Sequence, residues 1–219
     1  MFDWKSRFHA PQFPWSEVAR KRPDRGLAVI GKDLAAWELK TGELRPVVHR
    51  PHGVVLFAVN RMIDPLGRWI YYMNDDQGNE VGHLARVPFE GGESLDLTAQ
   101  LPAYAIVGLS TSGDGKTIAL NTACGEGYSL RTIDADSLET KLVYRAEREF
   151  IKSRISADGN FLAVMSTEKT GRRHYAVRAF DSEGAEVGQL WDESGGNFWL
   201  TAYSPVAHER LILASGLKG

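Results

Sequence analysis

Apolar and polar positions along the chain fall into a recurring phrase: a polar turn containing a glycine, then an unbroken apolar run. It is plainest in Asp64-Pro65-Leu66-Gly67-Arg68-Trp69-Ile70-Tyr71-Tyr72-Met73-Asn74. It returns in Ser112-Gly113-Asp114-Gly115-Lys116-Thr117-Ile118-Ala119-Leu120 and in Ser156-Ala157-Asp158-Gly159-Asn160-Phe161-Leu162-Ala163-Val164. Weaker copies begin at Arg22 and Ser204. Aligning Leu27, Ile70, Ile118, Leu162 and Ile212 gives steps of 43, 48, 44 and 50 residues. An Asp-Gly pair ahead of an apolar run predicts a tight hairpin turn, because glycine or aspartate supplies the positive φ that such turns require. The run that follows is apolar at nearly every position, as in a strand covered on both faces. One face carries large groups (Ile70/Tyr72, Ile118/Leu120, Leu162/Val164). The other is often alanine (Ala28, Ala119, Ala163), with Tyr71 as the departure, and small side chains let a neighbouring sheet approach closely.

A β-rich repeat of this length is that of a propeller blade. The expected fold is all-β: a propeller of four-stranded antiparallel blades, about four and a half of them, forming an incomplete ring. Residues 1–13, with Trp4, Phe8 and Phe13 but no strand alternation, form an N-terminal arm, and 14–219 the partial propeller. The blades span approximately 14–49, 54–98, 105–145, 150–192 and, as a half blade, 197–219. Blade one is drawn with strands at Ser16–Arg20, Leu27–Ile30, Ala35–Leu39 and Leu44–His49, and looks short between Ile30 and Ala35. Blade two has strands at Val55–Asn60, Arg68–Asn74, His83–Pro88 and Ser94–Thr98. An open strand edge and an uncovered blade face are liabilities that closed rings avoid, so the chain is expected to be part of something longer; a closed four-bladed ring is the alternative. No window holds a helical period for three turns.

The other sequence features narrow the function. A chain of 219 residues that is 43% hydrophobic can bury a substantial core. A formal charge of -2 argues against a nucleic-acid partner held through phosphates, which needs clustered Lys and Arg. The one basic run, Arg20-Lys21-Arg22, sits beside Asp24 and is taken as a solvated turn. Cys124 is the single cysteine, so no internal disulfide can form. The N-terminus lacks a signal-peptide pattern and no apolar run approaches the ~20 residues that cross a bilayer, so no membrane partner is expected and the compartment is expected to be cytoplasmic.

At Gly67-Arg68-Trp69-Ile70-Tyr71-Tyr72, through Asp75-Asp76-Gln77-Gly78-Asn79-Glu80 and His83-Leu84, to Arg86-Val87-Pro88-Phe89-Glu90-Gly91-Gly92-Glu93, the sequence resembles the propeller domain of bacterial prolyl oligopeptidase family serine peptidases, closest to the acylaminoacyl peptidase-like branch. The resemblance runs from about Arg22 to the C-terminus and is densest between Gly67 and Thr98. It implies a two-domain enzyme in which an N-terminal propeller restricts entry of peptides to a C-terminal α/β-hydrolase domain carrying a Ser-Asp-His triad. This chain departs from that plan: it has no Gly-x-Ser-x-Gly nucleophile elbow and no βα alternation. The implied partners are a peptide substrate and that hydrolase domain, with no catalytic residue in the chain itself. A stand-alone propeller acting as a protein-binding module is the alternative.

Other chemistry weighs less. Gly113-Asp114-Gly115-Lys116-Thr117 resembles the end of a phosphate loop, but Ser110 stands where the first glycine belongs. Gly125-Glu126-Gly127 fails as a dinucleotide fingerprint, since Leu130 replaces its third glycine. His49 and His52 have ligand spacing, and His83, His174 and His208 are available elsewhere, but a His-x-x-His pair next to two prolines shows no converging set, so neither a metal nor a cofactor is expected; a metal-dependent lyase would need a histidine set in the central channel. The acidic loop remains as the candidate site. Its Asp75, Asp76, Asn79 and Glu80 can hold a peptide's ammonium group through charge-assisted hydrogen bonds, or can simply cap their own backbone in a hydrated turn. Trp69, Trp191 and Trp199 lie in or beside apolar strands and are assigned to blade core.

Overall fold

The computed structural model describes residues 15–50, 61–75, 78–170, 174–191 and 197–206, together with the backbone of a strand at 212–217. Among the described residues there are eighteen strands and no helix. The first sheet is β1 (Ser16–Ala19), β2 (Arg22–Ile30), β3 (Asp33–Glu38) and β4 (Glu43–His49); the second is β5 (Arg61–Ile63), β6 (Trp69–Asp75), β7 (Gly82–Pro88) and β8 (Leu95–Asp96). The third holds β9 (Ala105–Thr111), β10 (Thr117–Cys124), β11 (Gly127–Asp134) and β12 (Thr140–Ala146), the fourth β13 (Phe150–Ile155), β14 (Phe161–Ser166), β15 (Ala176–Asp181) and β16 (Glu186–Leu190). A last pair, β17 (Asn197–Tyr203) and β18 (Ile212–Leu217), makes a two-stranded sheet.

Every sheet is an antiparallel meander with its strands in chain order. The first strands touch in succession, β1 with β5, β5 with β9, β9 with β13 and β13 with β17. They are therefore the innermost strands of successive blades, and the architecture is the expected propeller of four four-stranded blades and a further pair. The arm with Trp4, Phe8 and Phe13, and the strand expected at Val55–Asn60, lie outside the described residues.

The core lies between blades, as stacked sheets require. Leu27, Val29 and Leu34 of blade one meet Ile63, Ile70, Tyr72 and Val87 of blade two. Tyr71, Met73 and Leu84 meet Ile106, Leu109, Ile118 and Leu120 of blade three. Ala119, Leu130 and Val143 meet Phe150, Leu162, Val164 and Phe180 of blade four. Ile70 and Tyr72 of β6, Ile118 and Leu120 of β10, and Leu162 and Val164 of β14 thus point to the preceding blade, and the alanines of β10 and β14 to the following one.

Blade one reverses this order. Leu27 and Val29 face the following blade, so Leu27 is one residue out of phase with Ile70, Ile118 and Leu162. The β1–β2 ladder also carries a register shift, between Val18 and Ala19. The second hairpin of this blade is also complete, against the expectation that it runs short. Ile30 pairs with Asp33 across a two-residue loop whose first residue, Gly31, has φ +58, the conformation for which glycine is suited.

The recurring turns form a chained seam on one face. In each of three blades the glycine N–H returns to the turn's first carbonyl: Gly67 to Asp64 at 2.8 Å, Gly115 to Ser112 at 3.0 Å and Gly159 to Ser156 at 3.0 Å. Ser112 and Ser156 each donate to the aspartate two residues on, at 2.6 Å, and accept from the backbone N–H of Thr117 and Phe161. Asp64 replaces serine in blade two and holds Arg68 through both its backbone and its side chain. Each turn also rests on its neighbour: Gly67 against Arg25, Gly115 against Asp64 and Arg68, and Gly159 against Thr117 and Ser112. Arg25 donates to the Gly67 carbonyl at 2.9 Å. Backbone bonds from Lys21 to Pro65 and from Gly113 to Ala157 join the outer pairs of this series. Pro65 has no N–H with which to make the intervening bond.

Candidate functional site

Asp75 ends β6 and Gly82 opens β7, so the acidic loop joins the middle strands of blade two. Asp75 forms an ion pair with Arg50 and accepts the Glu80 N–H at 3.1 Å. Asn79 Oδ1 accepts the Val81 N–H at 3.0 Å. Glu80 sits at φ +61 with its side chain exposed. Asp76 lies outside the described residues. The structure therefore gathers Asp75, Asn79 and Glu80 into one turn, but aims the Asp75 carboxylate and the Asn79 amide at the protein itself. Arg50 fastens the loop to blade one: it donates to the Met73 carbonyl at 3.1 Å and the Asp75 carbonyl at 3.1 Å. Its guanidinium titrates below the ordinary value because it is buried.

His49 holds Asp33 at 2.6 Å through Nδ1, and His52 lies outside the described residues. Among the described residues, no three His, Cys, Asp or Glu side chains gather as a metal site.

The innermost strands enclose a different site, a channel of about 810 Å3. Its wall carries Arg20, Lys21, Arg61, Lys152 and Arg154 together with one carboxylate, Glu17. Five cations against one anion invert the sign of a chain whose formal charge is -2. Each is placed by a local device. Arg61 of β5 is 2% exposed and lies over the Trp15 ring, 4.5 Å from its centroid. Burial pushes its guanidinium down to about 10, against a smaller upward pull from Glu17. Arg154 donates to the Thr201 carbonyl at 3.2 Å and the Ser153 carbonyl at 2.9 Å; burial, then the charge of Arg20, lowers its pKa.

Lys152 has the most unusual setting. The β13–β14 register shifts between Ile151 and Arg154, and Lys152 within that bulge has φ +58. A bulge re-aims a side chain, here so that the ammonium lies 4.3 Å above the Trp199 ring centroid. Burial, followed by the repulsion of Arg154, pushes the amine down to about 8. Gly108 makes room for the bulge: a Cβ at Gly108 would collide with the Ser153 backbone nitrogen. Glu17 accepts the Ile63 N–H at 3.3 Å. Burial raises its carboxyl above the usual range, although the Ile63 bond and the charges of Arg20, Arg154 and Arg61 pull it back.

The sequence patterns did not reveal this site. Arg20 and Lys21 do form an exposed turn, as expected, and that turn also lines the channel; Arg22 pairs with Asp24 at 3.1 Å. Trp199 is 45% exposed beside Lys152 and Trp191 is 38% exposed, so neither is blade core; of these three tryptophans, Trp69 packs against a core cluster. A usable signal exists: a cation stands just ahead of the turn motif in three blades, at Arg20, Arg61 and Arg154.

No family model matches the sequence, and no curated protein does. Solved structures share the fold. A candidate TolB from Agrobacterium tumefaciens superposes with TM-score 0.64 at 16% identity, covering 89% of this chain and 67% of that one. TolB from Acinetobacter baumannii gives 0.57 at 17% identity, over 79% of this chain and 42% of that one. The tricorn protease gives 0.52 at 14% identity, over 68% of this chain but 15% of its own length. The chain thus has the propeller fold of TolB-like proteins and of a propeller-containing peptidase, and spans less than half the length of two of these three.

Proposed function

We propose that this chain is the propeller portion of a serine peptidase of the prolyl oligopeptidase type, admitting and orienting peptide substrates for a C-terminal α/β-hydrolase domain. The observation that carries the reading is the channel. Its volume, about 810 Å3, falls in the usual range of ligand sites, and its wall offers charged side chains and aromatic faces to an extended peptide.

The segment that resembles the family supports the reading less directly, because its residues serve the contact between blades. Phe89 is fully buried beneath Arg25, whose guanidinium lies 4.5 Å from the ring centroid. Glu90 accepts from both Arg25 and Arg45. Arg86 lies 4.2 Å over Trp69 and donates to the Ala135 carbonyl of blade three at 2.5 Å. Such residues specify a blade seam and leave the chemistry to another domain.

The full-length gene product should react with a serine-directed fluorophosphonate probe, and the reading frame beyond Gly219 should run into a Gly-x-Ser-x-Gly segment. A product that does not label, from a frame without that segment, would overturn the peptidase reading. The channel would then belong to a stand-alone propeller that holds a partner's peptide.

A further inference from the structure

The described part of the molecule answers most arginines at its blade contacts with carboxylates. Arg25 and Arg45 share Glu90, Arg68 meets Asp64, Arg50 meets Asp75, and Arg178 meets Glu168 and Glu186. The channel does the opposite. Arg20, Lys21, Lys152 and Arg154 converge on it, and among the described residues none of the four forms an ion pair. Glu17, the one carboxylate on the wall, accepts its hydrogen bond from a backbone N–H.

Gathering like charges in a partly buried wall is unfavourable in the empty protein. Here it is reinforced by a bulge that turns Lys152 toward the channel in a backbone conformation that non-glycine residues seldom adopt. Aromatic faces at Trp15 and Trp199 hold two of the cations in place. Cations held above aromatic faces, in a cavity of about 810 Å3, suit oxyanions that lie along an extended chain.

We infer that the channel selects peptides carrying carboxylate groups, with Lys152, Arg20 and Arg154 as the groups that hold them. The inference rests on the reading of the channel as a peptide passage, and adds the substrate class. Duplex nucleic acid is a poor match, since the chain as a whole is formally negative.

The test uses the full-length gene product and three fluorescent hexapeptides of one neutral sequence, followed by anisotropy at low salt. One has a free C-terminal carboxylate, one a C-terminal amide, and one an amide with two aspartates in the chain. The two carboxylate-bearing peptides should bind at least about tenfold more tightly than the neutral amide, and that preference should shrink as salt is raised. Lys152→Gln and Arg20→Gln, at a half-buried and an exposed residue, should each weaken the carboxylate peptides several-fold and leave the neutral amide unchanged. A free acid that binds while the aspartate peptide does not would place the selection at the chain terminus, and the reverse at side chains; either supports the inference. Equal binding of all three overturns the selectivity while the passage stands. Binding by none overturns the passage as well. A carboxylate preference that neither variant weakens assigns it to another surface and overturns the inference.

Discussion

The seam of turns and the wall of the channel are built from the same residue types, arranged under opposite rules. In the seam, left-handed backbone falls on Gly67, Gly115 and Gly159, and the buried Asp64 carboxylate is matched by Arg68 at 2.8 Å. On the wall, left-handed backbone falls on Lys152, and among the described residues four cations form no ion pair, with Glu17 as the one carboxylate beside them. In the seam the charges are met and the left-handed backbone is placed on glycine. Unmet charge and strained lysine mark a surface kept for something outside the chain.

Gly115→Ala should break the seam with the largest effect. Its methyl group would collide with the Asp64 carboxylate, and alanine would be held at φ +71. Overpacking and left-handed strain together should cost about 3 kcal/mol or more. Gly31→Ala is the control: φ is +58 and nothing lies within 4 Å, so only the strain applies, about 1 kcal/mol. Urea denaturation of both variants measures the difference. Equal losses would mean that the turns do not rest on one another.

The same contrast explains how much could be inferred from sequence. Ile70, Ile118 and Leu162 each follow a turn glycine by three residues and are fully exposed to their neighbours' cores, with 0% solvent exposure. Local turn chemistry and an apolar run define such a strand without reference to distant residues. Blade one escaped this logic because its first turn, Arg20-Lys21, has no glycine to set the phase, and nothing local reveals which face Leu27 takes. The channel was hidden for a different reason. Arg20, Arg61 and Lys152 lie far apart in sequence, and only closure of successive blades brings them together. The acidic loop was visible as a cluster, yet its partner Arg50 comes from the end of the preceding blade, where no motif announces it.

Lys152→Gly should move stability and binding in opposite directions. Glycine relieves the φ +58 backbone and removes the amine, for a gain of about 1 kcal/mol, while affinity for carboxylate-bearing peptides falls. The lysine's folded pKa, about 8, lies below its ordinary 10.5. The charged amine therefore weakens the fold below about pH 8, and that handicap lifts as pH rises from about 8 toward 10.5. The variant's advantage in thermal melts should accordingly be largest at neutral pH and narrow above pH 8 to the backbone contribution. A variant that is less stable at neutral pH would remove Lys152 from the strained, functional side of the comparison.

Glu17→Gln gives the smallest and most discriminating change. Its carboxyl is raised above 4.5 by burial, so the stability associated with its protonated form is complete below 4.5 and is lost as pH rises through the folded value. Glutamine keeps an oxygen for the Ile63 N–H and never ionises. Wild type and variant should therefore melt together near pH 4, with the variant higher by roughly 2 °C at pH 8. Removing the one carboxylate of the wall should also tighten carboxylate-peptide binding. Asp64→Asn should do the reverse for stability, because the seam carboxylate answers an arginine and its loss leaves Arg68 without its partner. If both substitutions shift the melting temperature in the same direction at pH 8, wall and seam follow one rule, and unmet charge does not set the channel apart.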